Sequence, residues 1–277
     1  MNNINNKRTA SRMMRVTTAL LCCVPGLGQA DQAAAHVKTL PGGTAPSGMG
    51  AAVPALEHYT HDLLLGDVWK RPGLSPRDRS IVTLTVLIAR GQSTELPFYL
   101  RRALDSGVKP GEVSEIITHL AFYAGWANAT TATHAAGTVF AERGIGADQL
   151  PAAKVRHLPL DKPSEEQRAA MVEENFGKVA PGVVKYTTDA LFRDLWLRPG
   201  LAPRDRSMVT VSALVAGGQS AQINFHLNRA MDSGLTEKEA GEILTQLAFY
   251  AGWPNVFSAM AVFKEVFAQR PPAVSAR

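Results

Sequence analysis

Ser75-Pro76-Arg77-Asp78-Arg79-Ser80-Ile81-Val82-Thr83-Leu84-Thr85-Val86-Leu87-Ile88-Ala89-Arg90-Gly91 admits two readings, and the choice between them decides the fold. The run from Ile81 to Ala89 is apolar and β-branched enough to imitate a strand buried on both faces. Its ends argue for a helix. Ser75 is a good N-cap, Pro76 suits the first helical position, and Gly91 is placed to end a helix at C′. From cap to cap the segment is too long for an ordinary strand and fits a helix buried on all sides. A second helix is expected from Ser93 to about Ser106, stopped by Gly107. Farther along, the same pattern spans Ser220 to Ser233, with Gly234 as the stop. Thr236-Glu237-Lys238-Glu239 is a capping box for a helix ending before Gly252, and a last helix follows Trp253-Pro254. No hairpin or βαβ pattern is present, so the expected class is all-α.

The same residues recur at one fixed offset. Trp69-Lys70-Arg71-Pro72-Gly73-Leu74 returns as Trp196-Leu197-Arg198-Pro199-Gly200-Leu201, and Ala121-Phe122-Tyr123-Ala124-Gly125-Trp126 returns as Ala248-Phe249-Tyr250-Ala251-Gly252-Trp253. Every pair is 127 positions apart, and about 35 of the 58 positions from Trp69 to Trp126 match their partners. The chain therefore divides into two fused units, 52–143 and 179–270, joined by a connector at 144–178. In the connector, Ser164-Glu165-Glu166-Gln167 after Pro163 predicts one extra helix to about Phe176. Residues 31–51, rich in Ala, Gly and Pro, are expected to form a flexible leader, and 271–277 a short tail.

With 45% hydrophobic and 19% charged residues in 277, the chain has an ordinary globular composition. Its net charge of +5 invites a nucleic-acid reading until the charges are located. Lys7, Arg8, Arg12 and Arg15 precede a short apolar stretch from Val16 to Val24, and Gly28-Gln29-Ala30 offers small residues for cleavage. That is the tripartite pattern of a signal peptide over 1–30. Ala19-Leu20-Leu21 lacks the small residues expected before a lipidated Cys22. Cleavage near Ala30 is expected to yield a periplasmic or secreted protein with a net charge of about +1. Both cysteines, Cys22 and Cys23, would go with the leader, leaving no disulfide and no thiolate nucleophile. No apolar stretch is long enough for a stable membrane span, and no aromatic-basic stripe suggests nucleic acid.

A polar row marks the second helix of each unit. Glu95, Tyr99 and Arg102 share one face at i, i+4 and i+7, beside an apolar face of Leu96, Leu100, Ala103 and Leu104. In the second unit the row is Gln222, His226 and Arg229. Its placement twice, with changed residue types, points to a lined cavity.

The runs Trp-x-Arg-Pro-Gly-Leu-x-x-Arg-x-Arg-Ser, Ala-Leu-x-x-Gly-Val and Tyr-Ala-Gly, with the Gly-x-x-x-Glu-x-x-x-His-like helix, resemble the carboxymuconolactone decarboxylase family. That resemblance implies an AhpD-like all-helical fold, commonly assembled as hexamers built from dimers. A tandem chain would be a covalent pseudo-dimer, and the partner expected is its own copy, in a trimer of tandem chains. The family's redox branch carries Gly-Cys-x-x-Cys-x-x-x-His on this helix. Here the matching positions are Gly91, Gln92, Glu95 and Tyr99, then Gly218, Gln219, Gln222 and His226, so a peroxiredoxin-type activity is disfavoured. The decarboxylase branch resembles Glu-x-x-x-His, of which the first unit keeps the Glu and the second the His. Either each site is degenerate, or Glu95 and His226 form one composite site.

The chemistry so implied needs no cofactor and no metal: a small carboxylated lactone loses carbon dioxide and its electrons pass to the lactone carbonyl. On that template His226 is the acid or oxyanion donor, Glu95 carries the proton, and Tyr99 and Gln222 support them. Arg102 and Arg229 are candidates for binding the anion. Tyr123, Tyr250, Trp126 and Trp253 read first as packing at the end of a helix and second as candidate walls of the pocket. Glu57, His58 and His61 have a metal-compatible spacing, but the second unit offers only Val184, Lys185 and Thr188 there, so none is assigned. A small-anion binding or assembly protein without turnover is the alternative.

Overall fold

The structure, a computed structural model, describes residues 49–270. The expected signal peptide, both cysteines, most of the leader and the tail lie outside the described residues. The leader's last residues enter a helical turn, α1 (Met49–Ala52). The first unit continues with α2 (Pro54–His58), a wide π-type turn at Tyr59–Leu65, α3 (Pro76–Ala89), α4 (Leu96–Asp105), α5 (Pro110–Ala124) and α6 (Trp126–Glu142). The connector carries α7 (Lys162–Phe176). The second unit repeats the order as α8 (Pro181–Tyr186), a π-type turn at Thr187–Phe192, α9 (Pro203–Ala216), α10 (Ile223–Asp232), α11 (Glu237–Ala251) and α12 (Trp253–Gln269). Among the described residues there is no strand, and the fold is all-α.

The deciding segment is α3. Ser75 Oγ accepts a hydrogen bond from the Asp78 amide at 3.0 Å, and Gly91 has φ +65° beyond the last turn. Every residue from Asp78 to Ile88 is buried, which is why no helical period shows in the sequence. α3 packs on α9, with α5 and α11 laid against both central helices, so the two units share one core. Each fully buried leucine there, such as Leu84 or Leu100, contributes about 2 kcal/mol.

Three expected boundaries move. α4 begins at Leu96 rather than Ser93, with Pro97 in its first turn, and α10 begins at Ile223 rather than Ser220, after a 3-10 turn at Ser220–Gln222. α7 begins at Lys162, capped by Asp161, whose carboxylate accepts from the Ser164 amide at 3.3 Å. Starting there places Pro163 in the first turn, where Ser164 as the cap would have left it outside.

Buried ion pairs tie the units together with a twofold pattern. Arg77 reaches Asp205 at 2.7 Å and Glu112 at 2.7 Å, while Arg204 reaches Asp78 at 2.9 Å and Glu239 at 2.8 Å. Deeper, Glu242 receives Arg71 and Arg79, and Glu115 receives Arg198 and Arg206. The Arg71 hydrogen bond, opposed by burial and helped by Arg79, holds the Glu242 carboxyl down to about 2. The Pro-Gly-Leu motif admits these carboxylates: a Cβ on Gly73 would meet Glu242 Cγ at 2.3 Å, and one on Gly200 would meet Glu115 Cγ at 2.9 Å.

Candidate active site

Each half builds an aromatic cluster with an arginine laid on a tryptophan, and each borrows a tyrosine from the other half. In the first, α4 presents Tyr99 and Arg102 to Trp69, and α11 supplies Tyr250. The Arg102 guanidinium lies 4.0 Å from the Trp69 ring centre. Trp69 Nε1 donates to Tyr250 Oη at 2.8 Å, and Tyr250 donates to Tyr99 Oη at 2.8 Å. That chain of hydroxyls fills the centre of the cluster. Glu95 stands half-buried at the start of α4, where burial raises its carboxyl.

In the second cluster, α10 presents His226 and Arg229 to Trp196, and α5 supplies Tyr123. Arg229 lies 4.3 Å from the Trp196 ring centre and 5.8 Å from that of Phe192. His226 stacks on Trp196 at 5.8 Å and meets Tyr123 edge-on at 5.5 Å. Trp196 Nε1 donates to Tyr123 Oη at 2.9 Å. Tyr123 has no acceptor for its own proton among the described residues, because an imidazole replaces the hydroxyl that Tyr99 supplies in the first half. Burial pushes the Tyr123 phenol up to about 12, so it stays protonated. Burial, then the Arg229 charge, lowers His226 to about 4, and its buried Nδ1 has no partner among the described residues. At neutral pH His226 is therefore an uncharged ring.

A further histidine, His119, lies behind the second cluster. Its ring stacks on Tyr123 at 4.7 Å and abuts Trp196 at 5.2 Å. Arg206 can only donate, so Nδ1 accepts from it at 3.4 Å and Nε2–H donates to Thr210 Oγ1 at 2.7 Å. Thr210 in turn donates to the Arg206 carbonyl at 3.0 Å. Complete burial, with Arg206 next, holds His119 well below the usual range for histidine. Gln246 occupies the same place in the first half, accepting from Arg79 at 3.2 Å and donating to Thr83 at 3.0 Å.

A cleft of about 860 Å³ opens onto the second cluster, between the connector and α10. Arg168, Phe192, Trp196, Phe225 and Arg229 line it, and His226 stands behind Trp196 and Phe225 rather than on its wall. Arg168 lies 4.3 Å over Phe192 and pairs with Glu165 at 2.7 Å.

The expected site residues thus divide. Tyr99, Arg102 and Tyr250 meet in the first cluster with Glu95 close by, whereas His226, Arg229 and Tyr123 meet in the second. No hydrogen bond or ring contact among the described residues joins Glu95 to His226. Gln222 is exposed at the start of α10. Trp126 and Trp253 are 65% and 51% exposed and pack on Phe122 and Phe249, outside both clusters. His58 pairs with Asp62 at 2.9 Å on the surface. Trp69, Trp196, Phe192 and Arg168 are not among the candidates the sequence offers, and His119, present only in the first unit where the second has Gln246, reads there as an isolated histidine more readily than as part of a site. The tryptophans recur in both units, so the repeat itself marked them; nothing in the sequence marked Arg168.

Fold and site together define a tandem all-α protein whose two halves exchange aromatic residues across a shared core. Residues 54–137 and 181–265 each match the carboxymuconolactone decarboxylase family, and the chain belongs to that family. Over 85 residues it is 41% identical to the 4-carboxymuconolactone decarboxylase of Acinetobacter baylyi, covering 31% of this chain and 63% of that protein. Over 60 residues it is 40% identical to a nitrosuccinic acid decarboxylase of Metarhizium robertsii, covering 22% and 42% respectively. The matched stretches span less than two thirds of either relative.

Proposed function

We propose that the chain is a cofactor-independent carboxy-lyase acting on a small carboxylated lactone or related anion, and that the second cluster does the work. The observation that carries this reading is Arg229 without a carboxylate partner among the described residues, beside a neutral His226 and a Tyr123 proton with no acceptor.

A substrate carboxylate entering the cleft meets Arg229 first. The guanidinium's contact with the rings is worth up to about 2 kcal/mol. A bidentate carboxylate offers two charge-assisted hydrogen bonds of about 1.5–3 kcal/mol each, so the carboxylate draws Arg229 off Trp196. That movement opens the way to His226 and Tyr123. Pairing Arg229 lifts the smaller of the two effects that hold His226 down, burial being the larger, and the bound anion's own charge further favours a proton on the imidazole, drawn from water. The bond to the leaving carboxylate then breaks, its electron pair passes through the ring double bond to the lactone carbonyl, and carbon dioxide departs. Tyr123 donates a hydrogen bond to the resulting dienolate oxygen, and His226 returns the proton to carbon. Glu95, Tyr99, Arg102 and Gln222 are left with structural or supporting roles in this scheme.

The test is carbon dioxide release from 4-carboxymuconolactone by the purified chain. Turnover that disappears in His226→Gln supports the carboxy-lyase. Saturable binding of the lactone without release of carbon dioxide supports the non-catalytic binding protein instead. The redox alternative has little support, since neither cysteine lies at the matching helix positions.

Export after loss of residues 1–30 and assembly of three tandem chains belong to the same proposal. The basic and apolar N-terminal pattern supports the first. Exposed tryptophans at equivalent places, Trp126 against the exposed Phe122 and Trp253 against the half-buried Phe249, support a second copy as the partner for these faces. Sedimentation of the full chain as a lone monomer would contradict that assembly.

A further inference from the structure

The cleft over the second cluster holds about 860 Å³, near the top of the range of about 300–1,000 Å³ for sites that take drug-sized ligands. A small ring acid on Arg229 fills only part of it. One wall is α10, which lines the cleft from Asn224 to Ser233, about 13 Å at a rise of 1.5 Å per residue. The opposite wall is the connector, whose helix α7 lies outside both segments that match the family. From the connector come four apolar side chains, Leu158, Pro159, Leu160 and Met171. The Leu158 amide donates to the Leu197 carbonyl at 2.7 Å and ties that stretch to the second unit. Met171 is 53% exposed, and Phe225, one turn from Arg229 on α10, is 46% exposed. Two apolar side chains thus face each other's wall with water between them. The charges on the walls are spent locally, with one exception. Arg168 holds Glu165 at 2.7 Å, Asp161 caps α7, and Asp232 pairs with Arg270 at 2.7 Å, which leaves Arg229 with ring contacts alone among the described residues. The first half is built differently at the corresponding place. Arg101 there pairs with Glu142 at 2.8 Å, whereas the second half has Asn228 and Gln269 at those positions, so an ion pair has given way to a neutral amide on the cleft wall.

We propose that this cleft takes an acid with one carboxylate head and an extended apolar tail. The head pairs with Arg229, and the tail lies between Phe225 on one wall and Met171 with the Leu158–Leu160 stretch on the other. An extended chain advances about 1.2 Å per bond, so an acid of about eight carbons spans roughly 10 Å and fits the length of the cleft. Its burial removes from water the apolar surface that Met171 and Phe225 expose. The tail site is special to the second half, because the connector walls only that cluster. This inference deepens the carboxy-lyase reading by naming a substrate class, and it rests on that reading only in taking Arg229 as the partner of the carboxylate.

Binding without turnover tests it, so its failure is separable from a failure of decarboxylase activity. Calorimetric titration of the full chain with butyrate, hexanoate and octanoate varies the tail under one head. Affinity is expected to rise about twofold to fourfold per methylene, with a heat-capacity change that grows more negative along the series. Octanol, which has the tail without the charge, should bind at least about tenfold weaker than octanoate, and Arg229→Gln should erase that difference. Met171→Ser and Phe225→Ser should each weaken octanoate about fivefold or more and leave butyrate within about twofold. Met171 is the more exposed of the two, so its variant carries the test if Phe225→Ser fails to fold. Met260→Ser, in the separate apolar groove between α11 and α12, should change neither ligand. Equal affinity for butyrate and octanoate, octanoate binding that survives Met171→Ser, or a loss in Met260→Ser overturns the proposal. Chain-length-dependent binding without carbon dioxide release from any lactone would keep it and remove the carboxy-lyase reading instead.

Discussion

Tyr99 and His226 sit at the same position of the repeat, and the difference between a phenol and an imidazole separates the two clusters. The phenol reaches Tyr250 and closes a chain of hydroxyls; the imidazole leaves the Tyr123 proton unspent. Burial first and the Arg229 charge second hold His226 at about 4 in the free protein, so neutralising Arg229 with an anion at pH 6 should raise the proton occupancy of the imidazole by a measurable fraction of one equivalent. Titrations with a dicarboxylate in two buffers of different ionisation enthalpy would measure it, and His226→Gln should abolish it. A binding enthalpy independent of buffer would mean that the imidazole stays neutral throughout. In the proposed scheme His119, stacked on Tyr123, would act through that ring as a positioning residue. His119→Gln copies Gln246, so the unfolding free energy should change by no more than about 1 kcal/mol. Without the stacked ring at 4.7 Å, kcat should fall about tenfold with KM nearly constant. An unchanged kcat would leave His119 a purely structural residue.

Among the elements, the helices were legible from caps, glycine stops and the repeat, and α3 from its ends alone. The start of α7 moved because Pro163 belongs inside its first turn, whereas the starts of α4 and α10 moved together, with Asn224 standing where α4 has Pro97, so the turn before each helix is a property of the repeat. The row Glu95, Tyr99, Arg102 could be read because it lies on one helix face. The partners Trp69 and Tyr250 could not be assigned, since pairing one unit's tyrosine with the other's tryptophan depends on how α3 crosses α9. The Pro-Gly-Leu turns carry a direct prediction. Gly73→Ala forces a methyl to within 2.3 Å of Glu242 Cγ and should lower the urea unfolding free energy by about 1–3 kcal/mol. A neutral effect would show that Glu242 can move aside. The carboxylate itself gives a pH signature. Its native value of about 2 lies below the unfolded value of roughly 4.3, so the native state binds fewer protons between them and stability rises with pH. The contribution, on the order of 2 kcal/mol after screening at the exposed Arg71, is complete above about pH 5 and lost as pH falls towards 2. Glu242→Gln should be less stable at pH 7 but show a flatter dependence over that range.

At the scale of the molecule, the duplication places two unlike clusters on one shared core. α3 and α9 bury each other, and each cluster needs a tyrosine from across that junction, so neither unit is complete alone. A fragment of residues 49–160 should be unfolded or self-associated in sedimentation, and a folded monomer of that length would contradict the shared core. The offset of 127 positions announced two equivalent units and the changed polar row marked a difference between them, but only the cross-packing shows which partners each row meets. The central claim is that turnover belongs to the second cluster. The most direct test is kcat/KM for 4-carboxymuconolactone in His226→Gln and Tyr99→Phe, measured side by side. The prediction is a loss of about a hundredfold or more in the first and a change within about threefold in the second. Equal losses in both, or a loss confined to Tyr99→Phe, would contradict it.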